Sequence, residues 1–178
     1  MRKYTYEIGI VCMLVFILAS CGVKTKSAGA GGSGLVQIFT KGKDSLLCFA
    51  GPTEYNGIGI SDEFEIDHTY LKVKDHSNPV TCNFSLISHD ATLRPSKVSI
   101  QLGTETFTTD SLTKLYAEGR DKKDYIYRYS FQVSDSFFYK WMQTPRPILK
   151  VNDRAFEGGK EFRKDSDVIF RRILFDIY

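Results

Sequence analysis

Along most of this chain apolar residues recur at every second position, the spacing of a half-buried β-strand. The clearest case is 125–133, where Tyr125, Tyr127, Tyr129, Phe131 and Val133 fall on one side and Ile126, Arg128, Ser130 and Gln132 on the other. Segment 97–102 alternates through Val98, Ile100 and Leu102. Gly103-Thr104 then supplies a two-residue turn, with glycine suited to the positive φ it needs, and 105–109 returns. Segments 35–40 and 45–50 form a predicted hairpin about 41–44. Segment 80–88 is a further strand, and 148–151 and 154–157 flank a second tight turn at Asn152-Asp153. Residues 51–61 and 89–96 read as loops. In 63–74 the parity changes. Phe64 and Ile66 share one face and Leu71 and Val73 take the other, which predicts a bulge or bend near His68-Thr69. Segment 111–118 fits either a short helix capped by Asp110 or a strand.

Two stretches depart from this pattern. Ser134 suits the N-cap of a short helix over 135–143, with Val133 and Phe138 at the positions of a hydrophobic staple and Pro145 and Pro147 beyond its end. Near the C-terminus Ile169, Phe170, Ile173, Leu174 and Ile177 follow helical spacing and predict a helix within 162–178, although Val168 and Phe175 fall outside that stripe. The expected fold is mainly β with minor α: an antiparallel β-sandwich or partly open barrel, with the short helix and the C-terminal helix packed on it. Residues 35–178, 144 in number, have the length of a single domain with a substantial core.

The first residues tell a different story. Arg2 and Lys3 precede an apolar run over 8–19, too short for a bilayer core that needs roughly 20 residues. A charged start, a short apolar segment and small residues at its end make an export signal. The sequence Leu18-Ala19-Ser20-Cys21-Gly22 resembles the lipobox of bacterial lipoproteins. The resemblance covers residues 1–22 alone. It implies a signal peptide over 1–20, cleavage before Cys21, and a diacylglycerol thioether on the Cys21 sulfur, usually with an acylated amino group. Two or more acyl chains anchor a protein stably, where one does not. Gly22 in the position after the cysteine implies, by the same resemblance, the outer membrane, and the lack of acidic residues just after Cys21 favours the side facing the periplasm. Residues 22–34 are rich in Gly, Ser and Ala and read as a flexible tether, with a root-mean-square reach of roughly 20 Å.

Charge adds little. Without its signal peptide the chain carries 22 basic and 20 acidic side chains. The basic residues from Lys140 onward are interleaved with acids, so no nucleic-acid footprint stands out. Cys48 shares strand parity with Leu46 and Ala50, and Cys82 with Phe84 and Leu86, so both point inward. An exported chain permits a Cys48–Cys82 disulfide; two separate buried thiols are the alternative. No cofactor is implied. His68, His76 and His89 each sit beside an aspartate (Asp67, Asp75, Asp90), but neighbours on a strand face opposite ways and make no dyad. Asp67, His68, Asp75 and His76 are proper metal ligands, yet solvated turn residues explain them as well, and no catalytic set is assigned. The tyrosine stripe suits the inner face of a sheet better than a stacking platform for carbohydrate. Tyr55, Ile58 and Trp141 are the candidate contact surface. The expected function is a lipid-anchored envelope module that binds a protein, or a glycan, as part of an envelope assembly; an envelope hydrolase or metal-dependent enzyme and a structural outer-membrane lipoprotein are the alternatives.

Overall fold

The computed structural model describes residues 34–40, 45–73, 76–120 and 124–177, with side chains placed as far as Ile173. Cys21, the signal segment, the tether up to residue 33, the turn 41–44 and Asp75 lie outside the described residues. The strands are β1 (Val36–Thr40), β2 (Ser45–Gly57), β3 (Glu63–Val73), β4 (Val80–Ser88), β5 (Val98–Leu102), β6 (Glu105–Thr109), β7 (Thr113–Gly119), β8 (Tyr125–Val133), β9 (Ile148–Val151) and β10 (Arg154–Glu157). The helices are α1 (Asp135–Gln143) and α2 (Lys160–Ile177). The strands form one antiparallel sheet in the order β6-β5-β9-β10-β2-β3-β4-β8-β7, with β1 added to the first half of β2. The sheet curls into a half-barrel, the partly open alternative of the expected fold.

Alternation explains which face is filled. Phe64, Ile66, His68 and Tyr70 of β3, Val80, Cys82, Phe84 and Leu86 of β4, and Tyr127, Tyr129, Phe131 and Val133 of β8 are all buried on the inner face. The tyrosine stripe is therefore core. Both helices cover this face. Ser134 caps α1, its Oγ accepting from the Phe137 amide at 3.2 Å. The face that α1 buries comprises Phe137, Phe138, Trp141 and Met142. α2 buries Phe162, Ser166, Ile169 and Ile173 along one stripe, and Phe170 meets the Tyr139 ring. Gly158 makes the close approach of α2 possible, since a Cβ there would lie 2.7 Å from the Phe162 ring and 2.8 Å from Pro147.

Several local expectations change. β2 does not stop at Ala50 but runs to Gly57, so most of the expected loop 51–61 is strand. The irregularity expected in β3 sits instead in β2. The register passes from Ala50↔His68 to Thr53↔Ile66, so Gly51 and Pro52 together face one residue of β3. This bulge absorbs a proline that has no ladder N–H to give, and it flips parity so that Thr53 and Tyr55 continue the inward set after Cys48 and Ala50. β3 alternates without a break through Tyr70; Leu71 and Val73 simply face outward, opposite Leu47 and Ser45. Segment 111–118 resolves as strand β7, and the C-terminal helix forms.

The Cys48–Cys82 disulfide does not form. Cys48 is opposite Tyr70 and Cys82 opposite His68, so β3 lies between them. Two inter-strand spacings are roughly 9–10 Å, beyond the Cα separation a disulfide can bridge. Burial also pushes the Cys82 thiol well above its ordinary pKa, so it stays protonated and unreactive.

Candidate functional site

The anticipated contact surface does not assemble. Tyr55 and Trp141 are buried at 4% and 0% exposure, and Ile58 alone of the three stands out, at 49%. The Trp141 indole N–H donates to the Tyr55 hydroxyl at 2.8 Å, and the Tyr55 ring lies 4.8 Å from that of Phe162. Tyr55 and Trp141 thus pin α1 and α2 to β2. Among the described residues no histidine site forms either. His68 faces inward between the rings of Phe138 and Trp141, at 4.9 and 5.2 Å, while Asp67 faces outward. Both ring nitrogens of His68 lack a hydrogen-bond partner, and burial lowers its pKa to about 4. His89 pairs instead with Asp124, its Nδ1 2.5 Å from the carboxylate.

The outer face of β1, β2 and β3 carries what the core does not use. Register places Phe39, Leu47 and Leu71 in one row across these strands, with Gln37, Phe49 and Thr69 in the next. Phe49 is 40% exposed and stands edge-on to Phe39, ring centroids 5.6 Å apart. One step further along lies the Gly51-Pro52 bulge, opposite Asp67. From β8, Arg128 reaches across β4. It donates to the Ser85 hydroxyl at 2.7 Å and pairs with one Asp67 oxygen, while the Asn83 amide donates to the other at 2.8 Å. The apolar row, with Phe49 beside it, therefore leads to a paired polar cluster.

A hollow of about 330 Å³ opens at this junction, lined by Leu35, Gln37, Phe49, Pro52, Asp67 and Arg128 among others. The bulge creates it. Gly51 donates its N–H to the Leu35 carbonyl at 2.5 Å, drawing the start of β1 close, and has no side chain to fill the space; a Cβ would sit 3.3 Å from that carbonyl oxygen. Two other hollows differ in chemistry. One, of about 540 Å³, is bordered by Glu54, Asp62, Glu63 and Glu65. The other, of about 280 Å³, lies beside the start of α2 between Arg146, Lys160, Arg163 and Glu157. Neither sets an exposed aromatic ring beside matched donors and acceptors.

Edge strand β7 also exposes apolar side chains, Leu115 at 49% and Tyr116 at 42%. Its register slips between Lys114 and Tyr116, and a bulge and a lysine on an edge both work against addition of another strand.

Neither the Tyr55, Ile58 and Trp141 set nor the tyrosine stripe points to the outer face of β1–β3, yet the sequence carries a signal for it. Residues 46–49 are apolar at four successive positions, and Tyr70 and Leu71 at two, which a strand with one solvated face does not require. Compared with known proteins, the chain matches no protein-family model, no curated protein and no solved structure.

Proposed function

We propose that this chain is a lipid-anchored binding module of the cell envelope, held to the membrane through Cys21 and engaging an envelope component with the outer face of β1–β3. The observation that carries the recognition half is the row Phe39, Leu47 and Leu71 with the exposed Phe49 beside it, on the face opposite the one that both helices cover. Contiguous apolar surface on a folded protein marks a contact site. The core is complete without these side chains, because the inner aromatics and both helices close the other face. The lipobox resemblance supports the anchoring half, and a short tether keeps the surface within reach of the envelope.

Both halves have direct tests. In Cys21→Ser the protein should leave the membrane pellet on cell fractionation; unchanged pelleting overturns the anchor. A photoreactive residue at position 47 should give a recurrent crosslinked species in intact cells that is lost when Leu71→Lys is added. A pattern indistinguishable from that of a probe at Gln101, on β5, overturns the assignment of the surface.

A further inference from the structure

We infer that the hollow beside the β2 bulge binds one ring of a neutral saccharide. The inference rests on the outer face being the recognition surface and adds the class of ligand. Four observations point to it. First, the volume of about 330 Å³ stands at the lower end of ligand sites, which run from roughly 300 to 1,000 Å³, so a single ring rather than an extended molecule fits. Second, Phe49 offers an exposed ring at the rim, steadied edge-on by Phe39. The negative face of an aromatic ring attracts the weakly positive C–H groups of a pyranose.

Third, the polar wall is amphoteric. Arg128 uses two of its five N–H donors within the cluster, and the two Asp67 oxygens each accept one bond, leaving donors and acceptors side by side for vicinal hydroxyls. Their side chains are 26% and 21% exposed, held in place yet reachable. Gln37, exposed on β1, adds an amide that both donates and accepts. Fourth, Asp67 and Arg128 neutralise each other. An anion would have to take Arg128 from Asp67, and a cation Asp67 from Arg128, whereas a neutral polyol needs neither exchange.

The test uses the full-length protein extracted from membranes into a detergent without a sugar headgroup. The probes are the methyl β-glycosides of glucose, galactose, mannose and N-acetylglucosamine, with glucuronate and glucosamine as charged controls. Saturation-transfer NMR should show at least one neutral glycoside contacting the protein in the millimolar range, strongest at the C–H groups of one ring face. Phe49→Ala and Asp67→Asn should each weaken that binding tenfold or more, while Phe49→Trp retains it and reports it by a fluorescence change. No transfer to any neutral glycoside overturns the inference, as does transfer unchanged in Phe49→Ala, or glucuronate or glucosamine binding more tightly than every neutral probe. Failure here with successful crosslinking from position 47 removes the saccharide and leaves the recognition surface; failure of both removes the surface as well.

Discussion

His68 shows at the scale of one residue how placement changes chemistry. The side chain is 1% exposed, packs against Phe138 and Trp141, and has no partner for either nitrogen. Burial favours the neutral imidazole, so the folded pKa falls to about 4 from 6.5. The unfolded chain therefore takes up this proton first as the pH drops. The stability tied to neutral His68 is complete above pH 6.5 and is lost progressively as the pH falls to about 4, a total of roughly 3 kcal/mol. His68→Phe should flatten the stability profile between pH 6.5 and 4, checked by urea denaturation at a series of pH values. A profile as steep as that of the parent protein would show that other groups govern it. Asp90 acts lower on the scale. Hydrogen bonds from Thr92, first of all from its hydroxyl, hold its carboxyl below the usual 3.8, with Arg154 assisting, so its support is lost only as the pH falls through that lowered value.

At the scale of elements, the β9–β10 hairpin is the clamp that joins distant loops. Asn152, at φ 55°, takes the left-handed turn position that asparagine tolerates, and its side-chain Oδ1 accepts from the backbone amides of Ser96 and Lys97. Two positions later Arg154 pairs with Asp62 and, at 2.9 Å, with Asp90. The Asp62 side chain is only 6% exposed. Removing a partner from a buried charge leaves that charge uncompensated, at a cost of about 3–5 kcal/mol. Arg154→Met should therefore destabilise by about 3 kcal/mol, somewhat less than the full range because Arg154 is itself partly exposed, and adding Asp62→Asn should restore much of the loss. Denaturant midpoints of the single and double variants decide this; equal loss in both would mean that packing of the arginine stem, not charge, is what matters.

At the scale of the whole molecule, β2 organises the sheet. Its first half carries β1, its last two residues carry β10, and β3 runs along its other side. The half-barrel closes its inner face with aromatics and helices and needs no cross-link. Thermal unfolding should accordingly give the same midpoint with and without a thiol reductant; a lower midpoint under reduction would mean that Cys48 and Cys82 are bonded after all. On the proposed recognition by the outer side of β1–β3, Phe49→Ala should weaken saccharide binding tenfold or more while costing less stability than truncation of a fully buried ring, since Phe49 is 40% exposed.

What the chain alone determined is local. Strict alternation in 125–133 identified the inward stripe, because the side-chain period of a strand is two. Capping at Ser134 and helical spacing around Ile169 located the two helices, and Gly103 at φ 63° and Asn152-Asp153 marked two hairpins. The lipobox resemblance is likewise a matter of adjacent residues. What required the tertiary structure were relations between strands distant in sequence. Tyr55 and Trp141 read as surface along the chain because the hydrogen bond that joins them in the core spans 86 positions. Two inward cysteines suggested a cross-link because parity does not reveal an intervening strand. The hollow at Gly51-Pro52 was invisible because Arg128 reaches it from 61 residues beyond Asp67. Periodicity is a property of neighbours along a chain; sheet order, and with it every contact that could recognise a ligand, emerges only when the strands pair.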